Sequence, residues 1–105
     1  MSDTVTTEEL KEMLRDPEQV TVLDIRSKPA YLAQHIPGSI HADASGQLMS
    51  GDTTPLTELD LPKERPVVVV CAVGSRSQLA AAFLQSMGYT AYSLAGGMQE
   101  WDRTK

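Results

Sequence analysis

The sequence predicts an α/β fold, a parallel sheet with helices on both faces. Three observations lead there. Val67-Val68-Val69-Val70 is an unbroken β-branched run, the mark of a strand buried on both sides. A helix-like stretch follows over residues 78–87, where Ala80, Phe83, Leu84 and Met87 recur at spacings of three and four. Gly88 stands where a helix-terminating glycine belongs. Short apolar strands alternate with helical stretches along the rest of the chain, and that order builds parallel sheets.

Taken in order, Thr4-Val5-Thr6 reads as a short edge strand or a lead-in. Thr6 and Glu9 form a capping-box pattern, and Leu10, Met13 and Leu14 stripe a short helix ending near Asp16-Pro17. Val20-Thr21-Val22-Leu23-Asp24 is the next strand. Asp24 and Arg26 at its end read, on their own, as a surface ion pair of little worth. Ser27 caps a short helix over 30–34 with Pro29 in its first turn, and Pro37-Gly38 turns the chain. Residues 39–42 read as a short strand. Residues 43–54 are rich in Gly, Ser, Asp and Thr without periodicity, so they read as loop. Leu48 and Met49 within it either line the mouth of a pocket or pack beneath the loop. Residues 55–59 form one helical turn and 61–66 a polar connector. After the central helix come a strand over 89–94, a Gly96-Gly97 turn and a last helix over 98–103, whose Trp101 packs on the sheet. Residues 1–105 read as one domain, with no internal repeat.

Bulk properties exclude several functions. A net charge of −5 argues against nucleic acid or anionic membrane as a main partner. No apolar stretch approaches a bilayer span, and the N-terminus carries no secretory pattern. The single cysteine forms no internal disulfide, which fits a reducing, cytoplasmic setting. One Cys and two His lack the spacing of a zinc site.

The chemistry concentrates where the valine run stops, at Cys71. A short loop carrying Gly74 and Arg76 leads into the helix. Such a loop points several backbone N–H groups into one concavity, and the helix dipole adds positive potential there. Thiols in these places favour the thiolate. Gly74 permits a tight turn, and Arg76 offers a planar fork of donors to an oxyanion. The plain alternative is that Cys71 merely fills space at the end of a core strand. Its position at the carboxyl edge of an open α/β sheet, where ligands bind, favours a nucleophile.

Four motifs in order carry a resemblance to a known family. Cys71-x-x-Gly74-x-Arg76-Ser77 resembles the active-site loop of the rhodanese (sulfurtransferase) family. Asp24-Ile25-Arg26 is similar to its Asp-Val-Arg signature, and His35-Ile36-Pro37-Gly38-Ser39-Ile40 to its His-Ile-Pro-Gly-Ala signature. Gly96-Gly97-Met98-Gln99-Glu100-Trp101 is similar to its closing Gly-Gly-x-x-x-Trp motif. The matches run from about Val20 to Trp101.

The resemblance implies a rhodanese-like three-layer sandwich around a five-stranded parallel sheet, with Cys71 after the fourth strand. It implies sulfur transfer through a Cys71 persulfide, cradled by the backbone of Ala72, Val73, Gly74, Ser75, Arg76 and Ser77. Asp24 and Arg26 are then supports for the loop, and His35 fixes its turn by hydrogen bonding; His41 receives no role. The partners implied are a small anionic donor, thiosulfate or a persulfide, and a thiol or dithiol acceptor, small or protein-borne. No metal or organic cofactor is required. Loop length separates reaction classes: phosphatases sharing this fold use Cys-x5-Arg, whereas Cys71 to Arg76 is Cys-x4-Arg. Phosphatase or arsenate reductase is therefore a distant second among enzymes. A persulfide carrier or a non-catalytic binding module is the alternative of a different class. Ala72 and Val73 depart from the basic loops of efficient thiosulfate enzymes, which points toward a persulfide donor.

Overall fold

The computed structural model describes residues 3–104. Its strands are β1 (Thr4–Val5), β2 (Thr21–Asp24), β3 (Ile40–His41), β4 (Val67–Val70) and β5 (Ala91–Leu94). They form one five-stranded parallel sheet in the order β1-β5-β4-β2-β3. The helices are α1 (Thr7–Met13), α2 (Lys28–Ala33), α3 (Ser45–Met49), α4 (Thr54–Thr57), α5 (Ser75–Ser86) and α6 (Gly97–Arg103). A 3-10 turn, Pro17–Gln19, leads into β2.

The valine run lies at the centre of the sheet and divides between two cores, because successive strand residues point to opposite faces. Val67 and Val69 join Leu23, Ala91 and the α5 residues Ala80, Ala81 and Leu84, with Leu48 and Leu56 from α3 and α4. Val68 and Val70 join Val22, Leu94, Leu10 of α1 and Met98 and Trp101 of α6. All four valines are fully buried, so β4 is apolar on both faces because both are covered. The capping box at α1 is present: Glu9 N–H donates to Thr6 Oγ1 at 3.1 Å, and Thr6 N–H donates to Glu9 Oε1 at 2.8 Å.

Several boundaries differ from the sequence reading. β1 is a true edge strand, paired with β5. Residues 45–49, expected as loop, form α3: Leu48 is anchored in the core against α5, and this tertiary contact stabilises a helix too short to hold itself. Met49 beside it is 59% exposed. α5 begins at Ser75 rather than 78, since its polar first turn carries no apolar periodicity. α2 begins at Lys28, and Ser27 occupies its N-cap position without a side-chain capping bond.

The topology locates the site. From β2 the chain moves outward to β3, whereas from β4 it moves the other way to β5. Between the carboxyl ends of β2 and β4 the connections therefore diverge, and open α/β sheets bind ligands at that switch point.

The two-sided core gives a direct contrast within α5. Leu84→Ala, at a fully buried position, is expected to cost about 2–5 kcal/mol. Leu79→Ala, at 55% exposure, is expected to change stability by less than about 0.5 kcal/mol. Urea unfolding midpoints of the two variants check the difference.

Candidate active site

Immediately after β4 comes Cys71, which is 2% exposed and forms part of the floor of a cavity of about 580 Å3. The walls come from the segments after β2 (Arg26, Ser27, Ala30), after β3 (Asp43, Ser45, Gly46) and after β4 (Ala72, Val73, Ser75, Arg76). The cavity thus opens at the switch point.

The sulfur is held by backbone. Gly74 N–H donates to Cys71 Sγ at 3.0 Å and Ser77 N–H at 3.4 Å. Gly74 is the N-cap of α5 and Ser77 lies in its first turn, so both are N–H groups that no helical carbonyl accepts. The N–H groups of Ala72, Val73, Ser75 and Arg76 also have no protein acceptor among the described residues. Two N–H groups of the loop thus donate to one sulfur and four more lie unpaired in the same short segment, an arrangement that stabilises negative charge.

A hydroxyl pair closes the back of this cup. Ser77 Oγ lies 3.3 Å from Cys71 Sγ and 2.6 Å from Ser93 Oγ. Both hydroxyls reach the Gly74 carbonyl, at 3.1 and 3.2 Å, and both serines are buried. Ser93 comes from β5, in register with Val69 and on the same face of the strand as Ala91. It escaped the sequence reading. The signal was present: a serine at a core-facing position of a strand beside the site strand needs a partner.

Two carbonyls of the loop are held from behind. Met98 N–H donates to the Cys71 carbonyl at 2.9 Å, and Gln99 N–H to the Ala72 carbonyl at 3.0 Å. These are first-turn groups of α6, so the Gly96-Gly97 motif sets the loop from behind. Gly97 has φ +57°, and a Cβ there would stand 2.3 Å from the Cys71 carbonyl oxygen. Gly74, with φ +99°, would put a Cβ 3.1 Å from Gly96 N. At both positions the close approach of backbone to backbone requires glycine.

Asp24 and Arg26 form a fork rather than a loose surface pair. Arg26 Nη2 donates to Asp24 Oδ2 at 2.8 Å and Nε to Oδ1 at 3.0 Å, with Asp24 1% exposed. Arg26 Nη2 also donates to the Gln34 carbonyl, tying the end of α2 to the pocket wall. Among the described residues neither side chain hydrogen-bonds residues 71–77. Their link to the loop runs through the sheet, where Ile25 N–H donates to the Val70 carbonyl at 3.0 Å.

The histidines stand apart from Cys71. His35 Nδ1–H donates to the Tyr31 carbonyl at 2.7 Å, and His41 Nε2–H to the Arg26 carbonyl at 2.7 Å. Both rings stack on Tyr31, at 3.9 and 4.4 Å between centroids. Leu48 and Met49 do not line the cavity; Asp43, Ser45 and Gly46, which the sequence did not single out, do so instead. Arg76 is exposed on the rim, and its guanidinium makes no hydrogen bond or ion pair among the described residues.

Gly97→Ala tests the clamp. Its Cβ meets main chain, which yields only by moving the Cys71 loop, so a loss of about 1–3 kcal/mol is expected. The reactivity of Cys71 toward iodoacetamide should change with it, whereas the Leu84→Ala variant while folded should keep wild-type reactivity. Alkylation rates of the native proteins measure this.

The comparisons with known proteins agree with this geometry. The model for the rhodanese-like domain matches residues 6–104. The chain is 42% identical over 84 residues to a thiosulfate sulfurtransferase, GlpE, of Pseudomonas fluorescens, covering 79% of this chain and 71% of that protein. It is 34% identical over 105 residues to a sulfurtransferase of Allochromatium vinosum, covering 98% and 91%. Among solved structures, the human single-domain sulfurtransferase TSTD1 superposes with a TM-score of 0.78 at 25% identity, over 100% of this chain and 99% of that one. No helix among the described residues is long and apolar enough to cross a membrane. Matched along nearly its whole length in sequence, and built on the same sheet, the chain belongs to the family of rhodanese-like domains.

Proposed function

We propose that the protein is a sulfurtransferase that moves a sulfane sulfur from thiosulfate or a persulfide to a thiophilic acceptor through a persulfide on Cys71. The observation that carries this reading is the sulfur of Cys71 at the floor of a cavity, accepting from the amides of Gly74 and Ser77 in its own loop.

The reaction is covalent and proceeds in two halves. In the first, the Cys71 thiolate attacks the outer sulfur of the donor. A new S–S bond forms at Sγ, the donor's own bond to that sulfur breaks, and its electron pair leaves on sulfite or on a thiolate. The transferred sulfur then lies among the N–H groups of residues 72–77, which hold its negative charge as an oxyanion hole holds oxygen. Arg76 docks the anionic donor, while Asp24 and Arg26 keep the wall of the cavity in place. In the second half, cyanide, a thiol or a dithiol attacks the outer sulfur and releases the Cys71 thiolate. The relatives named for thiosulfate sulfurtransferase activity support this reading at the level of the family. The shorter Cys-x4-Arg loop favours it over phosphate chemistry.

Steady-state kinetics with thiosulfate and cyanide test the proposal. Varying both substrates should give parallel double-reciprocal lines, the pattern of a two-half reaction. Cys71→Ser should lower thiocyanate formation by more than about a thousandfold, the scale of losing a nucleophile. Intersecting lines, or activity surviving in Cys71→Ser, would reject the covalent mechanism. Loading of Cys71 followed by release only to a protein thiol would mark a carrier instead of a free-standing enzyme.

A further inference from the structure

The charges lining the cavity are unequal in their commitments. Arg26 is spent on Asp24 and the Gln34 carbonyl. Asp43 is exposed, meets no cation among the described residues, and accepts one hydrogen bond, from Lys28 N–H at 3.3 Å. Arg76 has no partner among the described residues. One carboxylate and one guanidinium thus remain to meet a ligand. Thiosulfate fits this poorly, since a compact dianion would face the Asp43 carboxylate. The volume also exceeds its needs: about 580 Å3 lies in the range of sites for organic molecules.

We infer that the cavity selects a donor bearing both an ammonium and a carboxylate beside its sulfane sulfur, an amino-acid or short-peptide persulfide. Asp43 receives the ammonium and Arg76 the carboxylate. Asp43 is accordingly a specificity-determining residue that also disfavours thiosulfate. This assignment rests on the sulfurtransferase reading above. The step balances without a redox partner: the Cys71 thiolate and R–S–SH give Cys71–S–SH and R–S⁻. The Sγ–S bond forms, the donor S–S bond breaks, and the electron pair leaves on the donor's inner sulfur. Apolar Ala72 and Val73, with Ala30, accommodate the methylene groups of such a donor.

The test measures second-order rates of sulfur loading onto Cys71 by intact mass. The donors are cysteine persulfide, N-acetylcysteine persulfide, which lacks the ammonium, and thiosulfate. The quantity read is the cysteine to N-acetylcysteine rate ratio in wild type divided by the same ratio in Asp43→Asn. This double ratio cancels the intrinsic reactivities of the donors. Asparagine keeps an oxygen for Lys28 N–H, so the local turn is preserved. A double ratio of about tenfold is expected, the scale of one charge-assisted contact in a partly enclosed site. Thiosulfate loading should rise severalfold in Asp43→Asn. A double ratio near one, with Cys71 still loading, overturns the role of Asp43 and leaves sulfur transfer standing. No loading from any of the three donors overturns sulfur transfer itself, and this inference with it.

Discussion

The site depends on where two carbonyl groups point. Each peptide unit of the loop after β4 carries one donor and one acceptor, and within its plane they point in opposite directions. The first turn of α6 takes the Cys71 and Ala72 carbonyls from behind, at 2.9 and 3.0 Å. In those two peptide units the N–H groups of Ala72 and Val73 are turned the other way, and further along the loop Gly74 and Ser77 N–H donate to the sulfur. Two helix N-termini thus converge on one short segment: α6 holds its oxygens and α5 holds its sulfur. Gly97 and Gly74 are the places where this double approach brings backbone against backbone.

The same arrangement explains how an acidic protein can hold an anion. The net charge of −5 acts over the whole surface and is screened within about 8 Å at physiological salt. The N–H groups around Cys71 act at hydrogen-bond distance in a partly enclosed space, where partial charges count for more. Arg76 adds a full charge at the rim. Arg26, neutralised by buried Asp24, contributes shape and stiffness to the wall. Deep in the site, Ser77 and Ser93 bond one another and the Gly74 carbonyl, so the polar groups behind the sulfur are partnered.

Much of this was legible in the sequence because it is written in local patterns. The valine run marked the central strand, Thr6 and Glu9 marked a helix start, and Cys71, Gly74 and Gly97 stood in motifs whose glycines have a steric cause. Elements fixed by distant contacts were not legible. Residues 45–49 have no helical periodicity of their own and become helix only because Leu48 finds the core. Ser93 and Asp43 belong to no motif; their places follow from the strand order, which sets β5 on one side of β4 and the segment after β3 across the cavity. The sequence left Asp24 and Arg26 open between a surface pair and a support for the loop, since two residues of separation do not reveal that the end of β2 is covered.

The central claim is that the sulfur of Cys71 itself receives the transferred atom. Intact-protein mass after brief exposure to a sulfane-sulfur donor, with wild type beside Cys71→Ser, tests it most directly. The account predicts a gain of one sulfur atom in wild type, reversed by cyanide and absent in the variant. An unchanged wild-type mass with every donor, or the same gain in Cys71→Ser, would contradict it.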